Sequence, residues 1–515
     1  MDPTSFLRWI FSSKVREVKS WCGRESAFQQ KVLANLLRRA KDTVFGRANG
    51  FADILARPGD LYSSFVEAVP MHDYEGFRDY VMRMMRGERD VLWPGLCRNF
   101  AQSSGTTGGR SKFIPVTEAG LRENHYKGAS YSVALYLAAN RASRMFSGKG
   151  LILGGSFSST VEEVDKGVVV GDLSATLIQR VNPFVNFFRV PDKKTALLPD
   201  WQVKLPLIAA KAAATNLTNL SGVPSWMLQV LLRVLEIKGA SSLSEVWPHL
   251  EVFFHGGISF APYREEYGRL CRGLDMHFAE VFNASEGYFA CSEVPTDLNY
   301  DPLVSGIPSM LLLVDAGVFF EFLPLGCETP VGVDGLKVGK VYELVVSTVN
   351  GLWRYRIGDT VRIEGLAPLS ITVAGRTKSF INAFGEELME DNAERAIAEA
   401  CRATGASVLN YTVAPVYAHG KIKGRHQWLI EWKEAPASLD DFTRILDDNL
   451  RRVNSDYDAK RAHDIFLDVP EIVSLPDGAF HGWLATVGSG KLGGQRKVPR
   501  LSNDRSVADA ILSSP

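Results

Sequence analysis

Apolar positions recur at helical spacing over residues 26–45. Phe28, Val32, Leu36 and Val44 fall near one face, and Lys31, Arg38, Arg39 and Lys41 lie mostly elsewhere. The spacing predicts one amphipathic helix whose basic face is solvated. Pro70 and the following Asp73-Tyr-Glu-Gly76 predict a turn into a second helix over 74–86. From about residue 100 the texture changes. Short β-rich or apolar runs at 150–153, 168–170, 252–254, 310–314 and 341–347 alternate with helical stretches at 119–141 and 224–238. Strands separated by helices predict an α/β fold with a largely parallel sheet. After Leu311 the runs stand closer together, which predicts an antiparallel or barrel-like subregion. Gly375-Arg-Thr-Lys378 then punctuates the chain. Beyond it the pattern gives a helix at 387–403, a strand at 428–432 and a helix at 439–453, enough for a small α+β domain. The expected division is a large N-terminal domain of mixed sheets, 1–375, and a small C-terminal domain, 376–515.

Composition narrows the class. Of 515 residues, 46% are apolar and 23% charged, the balance of a globular protein and not of a disordered chain. Lys+Arg and Asp+Glu both total 58, so nothing global attracts the chain to nucleic acid or to an anionic membrane, and neither is expected as a partner. The six cysteines (22, 97, 271, 291, 327 and 401) form no CxxC pair, which removes a zinc ribbon or a thioredoxin motif. The longest apolar run, 309–325, is interrupted by Asp315 and Glu321 and falls short of the ~20 apolar residues a membrane span takes. With no signal-peptide pattern at the start, the expected setting is cytoplasmic, with free thiols.

The most informative local segment is Ser103-Ser-Gly-Thr-Thr-Gly-Gly-Arg-Ser-Lys112. Its glycines free the backbone to point N–H groups inward, Ser103, Ser104, Thr106 and Thr107 add hydroxyl donors, and Arg110 and Lys112 add positive charge. Such a loop can cradle a polyphosphate, or it can be an ordinary flexible loop. It lacks the Walker A spacing. Gly488-Ser-Gly-Lys-Leu-Gly493 satisfies G-x-G-x-x-G, but no βαβ unit remains for it to open.

Three further segments carry candidate chemistry. Val252-Phe-Phe-His-Gly-Gly-Ile-Ser259 reads as a buried strand ending in a tight glycine turn. Val281-Phe-Asn-Ala-Ser-Glu-Gly-Tyr288 sets a hydroxyl beside a carboxylate. Trp353-Arg-Tyr-Arg-Ile-Gly-Asp359 puts an acid after a glycine, at a strand end. Strand ends gather ligand groups in α/β folds. One carboxylate can hold Mg²⁺ beside phosphates, and another can accept from both hydroxyls of a ribose. Taken singly, Glu286 also reads as a salt-bridge partner and Asp359 as a turn former.

In this order the segments resemble the signature series of the adenylate-forming superfamily. Thr43-Val-Phe-Gly-Arg47, Val69-Pro-Met-His-Asp-Tyr-Glu75, the Ser-Ser-Gly-Thr-Thr-Gly-Gly loop with Lys112, Tyr355-Arg-Ile-Gly-Asp359 and Lys497-Val-Pro-Arg500 bring the likeness closer to the Gretchen Hagen auxin-responsive family in a bacterial-type form, from about residue 40 to 500. The resemblance implies an acyl-acid amido synthetase. Such an enzyme joins a small carboxylic acid to AMP, using ATP and Mg²⁺, and passes the acyl group to an amino acid. Ser103, Ser104, Thr106, Thr107 and Lys112 would hold ATP phosphates, and Gly256 and Gly257 would contact adenine, with Phe282 on or beside it. Ser285 would bind phosphate, Glu286 would organise Mg²⁺, Asp359 would hold the ribose and Arg376 would support ribose or phosphate. Lys378 would sit at the hinge of the mobile small domain, and Lys497 would stabilise charge as pyrophosphate leaves. Family habit implies a monomer.

Two departures from the family pattern stand out. Phe282 replaces a tyrosine, and Asn283-Ala284 replaces Ala-Ser. The helix after the phosphate loop, which lines the acyl pocket in plant relatives, carries Tyr126, Tyr131, Leu135 and Tyr136, and no arginine between Arg122 and Arg141; most of these aromatics read as core. Two rivals keep the fold. One passes the acyl group to a thiol such as coenzyme A, and the other binds nucleotide without catalysis.

Overall fold

The computed structural model describes residues 3–103, 112–157, 164–257, 260, 263–301, 305, 308–376, 380–381, 383, 386, 388–416, 424–454, 457–458, 461, 467–487, 498–502 and 504–513. The chain divides into two compact units, a larger one of 1–257 and 273–373 and a smaller one of 258–272, 374–492 and 496–515.

The larger unit opens with helices. The expected helix over 26–45 is two: Glu25–Ala40, and Val44–Ala48 beyond a break. Thr43 makes the break, because its hydroxyl accepts from the Gly46 N–H and so caps the second helix. The buried face of the first is Gln29, Leu33, Leu36, Leu37 and Ala40, with Phe28 and Val32 at its margin. The helix expected over 74–86 runs Tyr74–Met85, capped by Asp73.

Fifteen strands begin in or belong to this unit. They are β1 Asn99–Ser103, β2 Lys112–Val116, β3 Lys149–Ile152, β4 Val169–Gly171, β5 Arg189–Val190, β6 Leu217–Gly222, β7 Val252–Gly256, β8 His277–Asn283, β9 Tyr288–Ser292, β10 Thr296–Asp297, β11 Met310–Leu312, β12 Val318–Pro324, β13 Val341–Thr348, β14 Tyr355–Leu366 and β15 Leu369–Arg376. One twelve-stranded mixed sheet runs β12-β13-β14-β15-β11-β9-β8-β7-β6-β3-β5, with β10 beside β8. Its β5-β3-β6-β7-β8 half is parallel, joined by helices such as Trp201–Ala213 and Pro224–Lys238. From β9 onward neighbours are antiparallel, the arrangement that the closer spacing after Leu311 predicts. A small sheet, β2-β1-β4, lies apart.

The helical layer and the sheet share one core. Trp353, fully buried, meets Phe51 edge-on with ring centres 4.6 Å apart and stacks with Phe45 at 6.3 Å. Thr43-Val-Phe-Gly-Arg47 is therefore a packing motif: its cap turns Phe45 into the core, where an aromatic pair adds about 0.5–1.5 kcal/mol beyond the area it buries.

The smaller unit holds β16 Phe380–Ile381 paired with β17 Leu388–Met389, and a sheet of β18 Ser407–Val416, β19 Arg425–Glu434 and β20 Glu471–Leu475. Helices Glu390–Thr404 and Leu439–Val453 bury Ile397, Phe442 and Leu446 against Trp428 and Tyr411. The α+β pattern expected beyond residue 376 is thus present. This unit also takes in the stretch that follows Gly257. Tyr263 donates to the Leu409 carbonyl at 3.2 Å, and Lys433 pairs with Glu266. Arg500, from the Lys-Val-Pro-Arg segment, is buried over the Tyr411 ring and donates to Tyr263 Oη at 3.2 Å.

Candidate nucleotide site

β1 and β2 pair antiparallel with Ser103 opposite Lys112. The two ends of the serine/glycine stretch are therefore held side by side, while Ser104, Thr106 and Thr107 themselves lie outside the described residues, as do Lys378 and Lys497. Lys112 is half-buried, its ammonium 6.0 Å from the centre of the Tyr74 ring. The Tyr74 hydroxyl accepts from the Phe113 N–H at 2.8 Å, which fixes β2 to the helix Tyr74–Met85.

A backbone bridge brings the third region in. His72 pairs parallel with Tyr355: its N–H donates to the Arg354 carbonyl at 3.0 Å, and the Arg356 N–H donates to the His72 carbonyl at 2.8 Å. The Met-His-Asp-Tyr and Tyr-Arg-Ile-Gly-Asp segments, far apart in sequence, are thus joined by one isolated bridge. Tyr355 is fully buried, and its hydroxyl has no hydrogen-bond partner among the described residues. Burial pushes the phenol well above its ordinary pKa, and the charge of Glu286, then Tyr74, Asp73 and Asp359, pushes it further. The charges of those groups therefore act on one hydroxyl.

Asp359 sits inside β14, not at a strand end as the sequence suggests. Glu343 faces Thr360 and Val345 faces Arg356, so Ile357, Gly358 and Asp359 together oppose one residue of β13. Gly358 takes φ +83°, the left-handed conformation that lets the strand bulge there. The bulge re-aims Asp359, which is buried.

Glu286, also buried, lies in the turn from β8 to β9, closed by Ala284 and Gly287 bonding each other's backbones. Asn350 supports this turn. Its side-chain oxygen accepts from the Thr117 N–H at 3.0 Å, and its amide donates to the Glu286 carbonyl at 3.5 Å. The strand β7 meets β8 with Gly256 opposite Val281, and any side chain at 256 would collide with the Val281 carbonyl. Gly257 follows at φ +85°, making the tight turn the sequence predicts. Phe282 is next along β8, buried with its ring edge-on to Phe289 at 5.2 Å. Ser285 is partly exposed in the same turn. Arg376 ends β15 and belongs to the smaller unit.

The larger unit thus holds Lys112, Glu286, Asp359 and the Gly256–Phe282 edge. Tyr74, Asn350 and Tyr355 complete the frame; the two tyrosines lie inside motifs of the resemblance without a role assigned to them, and Asn350 lies in none, because each acts through partners far along the chain. Of the tyrosines of the helix Tyr126–Ala139, Tyr131 and Tyr136 are core, as expected for most of them, and Tyr126 is part-buried: Tyr131 donates to Glu17 and Asp315, Tyr136 to Glu251 and Tyr126 to the Leu177 carbonyl. A cavity of about 480 Å³ on that helix, where Lys14 pairs with Glu17 and Lys127 with Asp315, contains none of the nucleotide candidates. Among the described residues no cluster of three or more metal-ligating side chains occurs, and no helix is long and apolar enough to cross a membrane.

The fold is shared with solved amido synthetase and CoA ligase structures. The GH3.15 acyl acid amido synthetase in complex with 2,4-DB superposes with a TM-score of 0.78 at 19% identity, over 98% of this chain and 96% of that one. A 2-hydroxyisobutyryl-CoA ligase in its postadenylation state gives 0.60 at 12% identity, over 95% and 91%. The chain belongs to the GH3 family: the GH3 N-terminal domain matches residues 14–276, the central domain 311–376 and the C-terminal domain 391–506. Curated relatives include a probable indole-3-acetic acid-amido synthetase of Oryza sativa subsp. japonica, 22% identical over 94% of this chain and 88% of that protein. An indole-3-acetic acid-amido synthetase of Arabidopsis thaliana is 23% identical over 92% and 88%.

Proposed function

We propose that this protein is an ATP-dependent acyl-acid amido synthetase. What supports the reading is the match of the GH3 domains along most of the chain, relatives that are named amido synthetases, and the charges of Glu286 and Asp359 both acting on the buried Tyr355 hydroxyl. The residues suit a nucleotide. Two buried carboxylates act on a buried hydroxyl, and a lysine roots a loop rich in N–H and hydroxyl donors.

A carboxylate is a poor electrophile at neutral pH. In the proposed first step its oxygen attacks the α-phosphorus of ATP, the bond to the bridging oxygen breaks, and pyrophosphate leaves. Lys112 and the donors of Ser103, Ser104, Thr106, Thr107 and Ser285 hold the phosphates in line and neutralise the developing charge. Asp359 accepts from the ribose hydroxyls, supported by Arg376, while Gly256, Gly257 and Phe282 form the adenine side. Glu286 would hold Mg²⁺, a cation that typically takes one or two carboxylates plus phosphate oxygens and would supply charge neutralisation at the phosphates. Lys497 is the candidate for stabilising departing pyrophosphate, and Lys378 for the hinge that follows. In the second step an amino acid's amine attacks the acyl carbon; the amide forms and AMP leaves. All six cysteines are unpaired, which suits a cytoplasmic setting, and we take the working form to be a monomer.

The test is ATP–pyrophosphate exchange over a panel of small carboxylic acids, followed by trapping with hydroxylamine, amino acids and coenzyme A. Exchange with at least one acid and an amide product support the reading. A thioester in place of the amide would move the acceptor to coenzyme A, and nucleotide binding without exchange would leave a non-catalytic relative.

A further inference from the structure

The helix that follows β2 does not start as an α-helix. Gly120–His125 forms a π-turn, closed by the Tyr126 N–H donating to the Leu121 carbonyl five residues back. The extra residue in such a turn rotates the side chains at its end, and π-turns concentrate at functional sites. The turn is pinned to the Glu286 loop. Asn124 accepts from the Tyr288 N–H at 2.7 Å and donates to the Tyr288 and Ala316 carbonyls at 3.0 and 2.8 Å.

His125 is the residue this device re-aims. It is buried, with 1% of its surface exposed, and neither ring nitrogen has a hydrogen-bond partner among the described residues. Asn283, three positions before Glu286, lies within side-chain hydrogen-bonding reach of the ring, although its buried side-chain oxygen makes no well-aligned bond. Even if the ring turned to bond Asn283, it would satisfy one nitrogen and leave the other. Orphaned polar groups are costly in a buried place, so a paired set of them marks a position that something else fills. The surroundings keep the imidazole neutral: burial pushes its pKa down to about 4. A neutral ring offers one N–H and one lone pair, and Asn283 adds an acceptor. That set does not match a carboxylate, which only accepts. It matches a hydroxyl, which donates and accepts.

We infer that His125 and Asn283 form a specificity pair that recognises a hydroxyl on the acyl acid, so that the preferred substrates are hydroxylated carboxylic acids. The inference rests on the adenylation reading above and deepens it. A site built to bond a substrate hydroxyl rejects the analogue without it, because the site's own polar groups are then left unpaired.

The experiment is pyrophosphate exchange with matched acids, each hydroxylated member against its deoxy congener: hydroxybenzoates and benzoate, hydroxyphenylacetates and phenylacetate, hydroxylated and plain short-chain acids. The parent protein should favour the hydroxylated member of at least one pair by about tenfold or more in kcat/KM. His125→Leu and Asn283→Leu, tested separately, should bring that ratio to within about threefold while retaining exchange on the deoxy acid, which an unfolded variant cannot do. Equal use of both members of every pair by the parent overturns the inference and leaves adenylation standing. So does an unchanged ratio in both variants, or loss of exchange on both acids by variants that melt like the parent. Exchange with no acid at all overturns the adenylation reading itself, and this inference with it.

Discussion

Arg354 and Glu321 form a buried ion pair in which the guanidinium meets both carboxylate oxygens at 2.9–3.1 Å, with 3% and 0% of the two side chains exposed. Arg354 also donates to the Val66 carbonyl at 3.1 Å and the Val69 carbonyl at 2.6 Å, and Tyr62 donates to Glu321 at 3.2 Å. One residue thus ties the N-terminal helices to the sheet just before Tyr355. It holds φ +45° to do so, a conformation that non-glycine residues rarely take. Removing one partner strands the other charge in the core. Glu321→Ala is expected to destabilise the larger unit by about 3–5 kcal/mol, and replacing both residues with apolar ones by less. Urea denaturation of the single and double variants checks this, and equal losses would show that the penalty is not the orphaned charge.

Glu286 and Asp359 are the carboxylates assigned to Mg²⁺ and ribose. Glu286→Ala and Asp359→Ala are each expected to reduce pyrophosphate exchange at least about tenfold, or ~1.4 kcal/mol in the barrier. Full exchange in both variants would remove the site assignment. Since Asp359 is presented by a bulge, Gly358→Val should act in the same direction, because a β-branched residue at φ +83° is strained.

Lys497→Ala is expected to impair adenylation more than transfer from preformed acyl-adenylate. The two half-reactions separate the possibilities: equal loss in both argues against a role at pyrophosphate departure.

Elements with a strong local signal were readable from sequence. The helix Pro224–Lys238 has proline at its first position and Gly239 in the left-handed conformation after it, and Leu439–Val453 has its Ser438 cap. The strand runs at 252–254 and 341–347 are apolar and short, and both form strands. Three kinds of feature were not readable. The Thr43 cap splits what periodicity alone continues as one helix. The bulge at 357–359 and the π-turn at 120–125 insert residues into regular elements, and insertions leave no period to detect. Long-range partnerships such as His72 with Tyr355 depend on the finished topology. The candidate site was legible as motifs but not as a frame: Lys112, Glu286 and Asp359 stood out by residue type, whereas Asn350 looks like an ordinary polar position, and Tyr74 only like part of a motif, until the chain is folded.

The cysteines divide by burial. Cys97, Cys271, Cys291 and Cys401 are buried, and burial raises each thiol to about 12, whereas Cys22 and Cys327 are exposed. The nucleophile is the thiolate, so the buried four are doubly protected. Native protein treated with a thiol-specific chromogenic reagent at pH 8 should titrate two thiols rapidly, and all six after denaturation. Rapid reaction of a third would show local opening of the core around it.

His125 gives the fold a pH dependence of definite sign. Its ring titrates at about 4 in the folded protein against an ordinary 6.5, because burial disfavours the imidazolium. Between those values the unfolded chain binds a proton that the native state refuses, so stability rises with pH across the window. The contribution is complete above about pH 6.5, and it is lost as pH falls towards 4. A shift of this size corresponds to about 3 kcal/mol at most. Other groups titrate over the same range, His72 among them, whose pKa burial also lowers, so the variant comparison is what isolates the ring. His125→Gln, which cannot ionise, should lose less stability than the parent between pH 7 and pH 4.5, by about 2–3 kcal/mol in denaturant unfolding. Parallel pH profiles in the two proteins would mean that His125 is protonated as readily folded as unfolded. The neutral ring on which its hydrogen-bonding role depends would then be absent.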